Sequence, residues 1–231
     1  MPRSHDRMTL RTYGRRKGHG LSDRRQALVD NLLPRLRLDT AVAAPASLSA
    51  LFSCQVSAVA LEIGFGAGEH IAWQAANHVD WGFIGCEVYL NGTAALLGRI
   101  DEAGLDNIRI HDEDARDLLA WLPKASLDRV FVLFPDPWPK KRHHKRRLIS
   151  AETLDGLARA MRQGAELRVA SDIPDYIRTS LLAARAANAF AWLAKSPRDW
   201  RNRPPGWPET RYEQKALREG RPCSYLTFVR R

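Results

Sequence analysis

The chain is short of cysteine and has no long apolar run, and each shortage excludes a class of protein. Cys54, Cys86 and Cys223 are its three cysteines in 231 residues. Their odd number and the lack of any CxxC spacing argue against a disulfide framework or a zinc site, and for free thiols in a reducing compartment. No stretch approaches the ~18 uninterrupted apolar residues of a membrane span. The opening MPRSHDRMTLRTYGRRKGHG is basic but lacks the apolar centre of a secretory leader, so a cytoplasmic protein is expected. There are no internal repeats and no low-complexity domain. At 45% hydrophobic and 27% charged, the composition suffices for a full core.

Acidic residues are also in deficit, 26 against 36 Lys and Arg, for a net charge of +10. The excess is unevenly placed. Residues 1–25, 140–147 and 195–231 carry +6 each, which leaves the rest of the chain at about −8. An acidic body with three basic segments fits a catalytic core carrying an electrostatic footprint for a polyanion.

From about Val56 onward, short apolar runs alternate with helical periods. VSAVALEIG, WGFIGCEV, NIRIHDEDA, SLDRVFVLFP and AELRVAS read as five strands or strand exits. EHIAWQAANH, YLNGTAALLGRIDEAG, RDLLAWLP, SAETLDGLARAMRQ and IPDYIRTSLLAARAANA read as the helices among and after them, with FAWLAKS and CSYLTFVRR as final strands. This alternation predicts an α/β fold, a mostly parallel sheet with helices on both faces. Residues 56–231 are expected to form that domain. Residues 1–55 are less regular and read as a basic extension, with RRQALVDNLLPRL as one helix and AVAAPASLSALFS as a connector. Ligands of such sheets sit at the carboxyl ends of the strands, beside a reversal of strand order.

The first strand ends in Leu61-Glu62-Ile63-Gly64-Phe65-Gly66-Ala67-Gly68. Glycines at alternate positions admit close approach of a ligand to the backbone. The dinucleotide fingerprint GxGxxG would need a third glycine where Glu69 stands, and a carboxylate there opposes a pyrophosphate at a helix start. A sulfonium cofactor has no phosphate, and its positive charge suits Glu62, so [E/D]xGxGxG favours S-adenosylmethionine over NAD. Glu87 closes the second strand, where a carboxylate can accept from both ribose hydroxyls. Asp114, after the third strand, is placed to accept from an adenine amino group, with Asp112 and Glu113 as rivals.

The least common segment is Phe134-Pro135-Asp136-Pro137-Trp138-Pro139-Lys140-Lys141-Arg142-His143-His144-Lys145-Arg146-Arg147. Its prolines stiffen the loop that leaves the fourth strand. Asp136 and Trp138 are suited to orient a planar base, and the cations that follow are suited to hold phosphates. Adjacent His143 and His144 lack acidic partners in this cationic run, so no metal is expected.

Taken together, RTYGRRKG, LEIGFGAGEH, FIGCEVY, NIRIHDEDA, FPDPWPKKRHHKRRL, ASDIPDY and TRYEQ resemble the bacterial tRNA (guanine-N7-)-methyltransferase family over nearly the whole chain. The resemblance implies a Rossmann-like S-adenosylmethionine-dependent methyltransferase fold and methyl transfer to N7 of a tRNA guanine, usually guanine 46 of the variable loop. It implies cofactor contacts at Glu62, Glu87, Asp114 and Asp136, beside the turn of Gly64, Gly66 and Gly68, with Asp136 also catalytic. It implies substrate contacts at Lys140, Asp172, Thr210, Arg211, Tyr212 and Glu213, and RNA contacts at Arg142, His143, His144, Lys145, Arg146 and Arg147. The partner implied is tRNA, with no membrane, metal or obligatory protein partner.

Other readings of the same residues stand beside these. Lys140 could be a surface charge, Asp172 a helix N-cap, and Thr210 with Glu213 a capping box. The chain departs from the family pattern at Glu69-His70, at Ser171-Asp172-Ile173, and at Lys215-Ala216, where Arg-Gly is usual. The rival functions are a methyltransferase for another RNA atom and an RNA-binding protein on an inactive methyltransferase fold. Three basic segments speak against a small-molecule methyltransferase, and the acids kept at three strand ends speak against an inactive fold.

Overall fold

The computed structural model describes Arg16 and residues 18–231. Seven strands form one sheet: β1 (Ala58–Ile63), β2 (Trp81–Cys86), β3 (Ile108–His111), β4 (Leu127–Leu133), β5 (Met161–Ser171), β6 (Phe190–Trp192) and β7 (Ser224–Arg230). Their spatial order is β3-β2-β1-β4-β5-β7-β6. The first five run parallel, and β7 inserts antiparallel between β5 and β6. Nine α-helices accompany them among the described residues: α1 (Asp23–Asn31), α2 (Leu33–Leu36), α3 (Glu69–Asn77), α4 (Leu90–Ala103), α5 (Ala115–Trp121), α6 (Ala151–Ala160), α7 (Pro174–Ala187), α8 (Arg198–Arg201) and α9 (Arg211–Arg218). This is the expected Rossmann-like α/β architecture, a mostly parallel sheet with helices on both faces, and no described helix is long and apolar enough to cross a membrane.

Side chains of a strand alternate between faces, and the buried strands divide accordingly. Leu61, Ile63, Val130, Val132, Leu167 and Val169 pack on one face with α5, α6 and α7. Ala60, Phe83, Phe131 and Leu133 pack on the other, with α2, α3 and α4. Chain order reverses between β1 and β4, so the crevice of the fold opens at the carboxyl ends of these two strands.

Three element boundaries differ from the sequence reading. RRQALVDNLLPRL is two helices because Pro34 has no N–H to continue the ladder, and the chain breaks at Leu32 between them. The sixth helix stops at Ala160, since Met161 turns to an extended conformation, buries its side chain and pairs with Leu127 at the start of β5. FAWLAKS supplies a strand of three residues only, after which Asp199 accepts from the Lys195 and Ser196 N–H groups and turns the chain.

The described part of the segment before Val56 packs on the domain. Leu33 and Leu36 join the core, Arg37 bridges to Ile110, and Phe52 lies beneath Gly82, where a Cβ would strike its ring. The Gly18 N–H donates to Asn91 Oδ1 (2.9 Å), tying the chain to the start of α4. Most of RTYGRRKG, and most of the basic stretch 1–25 that contains it, lies outside the described residues.

Candidate active site

A cavity of about 430 Å³ opens at the carboxyl ends of β1, β2, β3 and β4. Its size is that of a small-molecule site. Gly64, Gly66, Glu87, Asp114, Asp136, Trp138, Arg146 and Tyr212, from separate stretches of the chain, all line it.

The glycine turn is the floor. Gly64 (φ +76°) and Gly66 (φ +58°) are left-handed, a conformation costly for any residue with a Cβ. A Cβ on Gly64 would meet nothing within 4 Å, so the space above it is open cavity rather than packing. A Cβ on Gly66 would come within 3.2 Å of the Tyr212 ring, which closes the turn from α9. Gly68 does not line the cavity. A Cβ there would press on Leu96 of α4, so this third glycine serves helix packing. Gly92, which the sequence did not single out, is needed equally, because a Cβ would strike the Gly66 carbonyl.

The expected acids occupy distinct positions. Glu87 accepts from the N–H groups of Gly66 (2.9 Å) and Tyr89 (3.0 Å), which locks the carboxylate to the glycine turn. Burial raises its pKa above the ordinary value although these hydrogen bonds pull the other way. Asp114 caps α5, accepting from the Arg116 N–H (2.9 Å) while Arg116 Nη1 lies 3.2 Å from its other oxygen. Its rival Asp112 is engaged outside the cavity by Nε and Nη2 of Arg37 (2.8 and 2.7 Å), whereas Glu113 does reach the lining.

Glu62 is placed differently from the expectation of a carboxylate beside the sulfonium. As the residue before Ile63, it points to the opposite sheet face, under α3. There it is 4% exposed, its Oε2 lies 2.7 Å from His70 Nδ1, and it is absent from the cavity lining. Gln74 continues the chain to His70 Nε2 at 3.1 Å.

Asp136 stands at the mouth, and no described group donates a hydrogen bond to it. Partial desolvation by the cavity wall lifts its pKa above the ordinary aspartate value. It sits between two strained residues, Phe134 (φ +50°) and Trp138 (φ +42°). Non-glycine residues hold such angles only where the surroundings impose them. Prolines on both sides of Asp136 are one restraint, and Arg147 is another. Its guanidinium is 3% exposed and donates to the Pro137 carbonyl (2.9 Å), Thr179 Oγ1 (2.9 Å) and Asp175 Oδ2 (2.7 Å). Arg147 was expected to touch RNA. The structure turns it inward, as a strut between the rim and α7.

The remaining cations of the run stay outside. Lys140, Lys141, Arg142 and Lys145 are exposed, and none of them lines the cavity. Arg146 does line it, with its guanidinium 4.9 Å from the Trp138 ring centre. Desolvation and the neighbouring cations hold His143 below the ordinary histidine pKa. His144 lies 3.7 Å from Asp175. Among the described residues no group of three or more His, Cys, Asp or Glu side chains could hold a metal ion.

The C-terminal motif divides likewise. Thr210 caps α9 by accepting from the Glu213 N–H (3.2 Å), and Glu213 is buried against the Tyr225 hydroxyl and Arg203. These two residues build the helix, and Arg211 lies on its exposed side. Tyr212, half exposed, is the member of the motif that reaches the cavity. Asp172 is held by Arg221 Nε (2.6 Å) outside the lining, and the N-cap position of α7 belongs to Ile173. Ala216 is accommodated as a buried core residue of α9.

The donor set fits a cationic nucleoside. Glu87, Glu113, Asp114 and Asp136 outnumber Arg116 and Arg146, two glycines leave room for close approach, and Ile63, Val88 and Leu148 supply apolar wall.

Comparison with known proteins places the chain among its relatives. The family model described as "Putative methyltransferase" matches residues 57–226. The protein named tRNA (guanine-N(7)-)-methyltransferase in Chelativorans sp. (strain BNC1) is 48% identical over 225 residues, covering 97% of each chain. Its namesake in Roseobacter denitrificans is 50% identical over 224 residues, 94% of this chain and 95% of the relative. Among solved structures, the 16S rRNA methyltransferase KamB superposes with a TM-score of 0.58 at 17% identity, covering 82% of this chain and 95% of that one. TrmN from Thermus thermophilus gives 0.53 at 16% identity, over 79% of this chain and 46% of that one. Such distant structures establish the fold alone, but the near-complete relatives and the family model establish more: this chain belongs to the tRNA (guanine-N7-)-methyltransferase family.

Proposed function

We propose that the protein transfers a methyl group from S-adenosylmethionine to N7 of guanine 46 in the variable loop of tRNA, in the cytoplasm. The observation that carries this reading is the meeting of Gly64, Gly66, Glu87, Asp114 and Asp136 in one cavity whose mouth adjoins an exposed cationic run. Bound S-adenosylmethionine supplies an electrophilic methyl group on a positively charged sulfur. Glu87 and Asp114 would hold its nucleoside through acceptor oxygens, and Gly64 leaves the space it needs.

Guanine N7 carries no proton in the neutral base, so no general base is needed before attack. Positive charge moves onto the purine as the bond forms. Asp136, fixed on a stiff rim, stabilises that charge or accepts from guanine N1–H and N2–H₂. Trp138 offers a ring face at the same rim for the base. Alignment of the reacting atoms then supplies most of the rate, which is why the rim is strained and braced. Glu62 acts from behind, holding His70 and the start of α3 under the glycine turn.

Two measurements test this reading. Gly64→Ala places a methyl in the ligand space and strains the turn, so donor binding by calorimetry should weaken about tenfold or more. Unchanged donor affinity would remove the cofactor assignment. On the RNA side, neutralising about five phosphates predicts a slope near −3.5 to −4.5 for log K against log salt. A flat line would exclude the electrostatic footprint.

A further inference from the structure

The cation-rich run Lys140–Lys145 flanks the cavity on one side, and α9 flanks it on another through Tyr212. Eight residues long, α9 has an asymmetric surface. At 100° per residue, Arg211, Lys215 and Arg218 fall within about 60° of one another. The two buried positions, Glu213 and Ala216, lie on the opposite side of the helix. The cationic stripe is therefore aimed at solvent, with Tyr212 between it and the core, its ring on the cavity floor.

The acids that could neutralise this stripe are occupied. Glu213 is buried against Tyr225, Glu209 is paired with Arg203, and Glu219 is paired with Arg221. Arg211 has a loose contact with Glu69 at 3.6 Å, while Lys215 and Arg218 make no ion pair or side-chain hydrogen bond among the described residues. Arg99 of α4, 3.9 Å from the same Glu69, extends the positive surface toward the glycine turn. Two unpaired cations beside Arg211, whose Glu69 is shared with Arg99, suit a polyanion, and the stripe borders the cavity that would receive the base.

We infer that the exposed face of α9, through Lys215 and Arg218 with Arg211, is a second rail for the RNA backbone. The substrate is then held on two sides of the cavity mouth, by the Lys140–Lys145 run and by α9. Two rails define the angle of entry of the target strand, which one rail cannot. The inference rests on the reading of RNA as substrate.

The test is the binding of the full-length protein to a fluorescent tRNA transcript, measured by anisotropy between ~50 and ~200 mM salt. Lys215→Gln with Arg218→Gln should weaken binding about tenfold and make the log–log slope shallower by about 1 to 2, with donor affinity unchanged. The charge-keeping pair Lys215→Arg and Arg218→Lys should bind as wild type. Lys124→Gln with Arg185→Gln removes the same charge from exposed positions at the amino-terminal ends of the strands, opposite the cavity, and should leave the slope as it was. If the α9 pair matches wild type in affinity and slope, or if the distant pair is equally impaired, the second rail is refuted while RNA binding itself stands. If wild-type protein shows no salt-dependent binding, both the rail and the RNA substrate fall.

Discussion

Asp136→Asn should lower kcat by about 100- to 1,000-fold with no loss of thermal stability. The size is that of removing one preorganised electrostatic contact from a transition state. Asparagine keeps the shape of the side chain, so donor and tRNA affinities should move little, and the loss should appear in kcat. The stability half follows from the raised pKa. A carboxyl whose folded pKa lies above its unfolded value binds more protons in the native state. Its ionisation therefore costs stability as pH rises through the interval between the two values, and the full cost is present at neutral pH. Removing the charge should leave the melting temperature at pH 7 unchanged or slightly higher. The pH–rate profile of the wild type should fall on its acid side as Asp136 is protonated, at a pH above the ordinary aspartate range, and that limb should vanish in the variant. A wild-type kcat in Asp136→Asn would exclude the electrostatic role.

Arg147→Met should damage both fold and rate, although this side chain lies within the cationic run. Loss of the guanidinium leaves the Pro137 carbonyl and Thr179 without their donor, at a cost of about 2–4 kcal/mol. In a chain of this size that lowers the melting temperature by roughly 4–16 °C. The rim then relaxes, and a shift of about 1 Å at Asp136 is enough to cost about 100-fold in kcat. Because Arg147 faces inward, KM for tRNA should stay within about twofold, while Lys145→Gln should raise KM and spare kcat. Arg147→Lys retains one donor and should recover part of the rate. Steady-state kinetics on the folded fraction separates the two roles. A tRNA KM effect in Arg147→Met without a kcat effect would return Arg147 to the RNA-contact set.

The sequence made the framework of this site visible because strand exits announce themselves. Short apolar runs ending in glycine or acid marked Gly64, Glu87, Asp114 and Asp136, and the parallel sheet carries all four to its carboxyl end. What stayed hidden depends on which face a side chain takes. Glu62 looked like a cavity residue, yet Leu61 and Ile63 belong to the α5–α7 side, and strict alternation sends the intervening residue to α3. That parity was available in the spacing and would have found the pairing with His70. Arg147 could not be told from its neighbours, because which residue of the short 3₁₀ turn Lys141–Arg146 or its C-cap faces inward is not written in a run of basic side chains. The adjoining Leu148-Ile149 was the one hint that the chain was re-entering the core. Gly92 was invisible for another reason, since its constraint is the carbonyl of a residue 26 positions earlier. The alternation within TRYE was half legible. The Thr210 cap was recognisable as a pattern, but only the packed helix shows Tyr212 reaching the cavity while Glu213 turns inward.

The account as a whole is tested most directly by supplying the protein with S-adenosylmethionine labelled in its methyl group and with bulk tRNA, then mapping the modified nucleotide by chemical cleavage at 7-methylguanine. Label confined to one guanine of the variable loop, and lost in Asp136→Asn, is the expected result. Label on another atom or another nucleotide, or none at all, would contradict it.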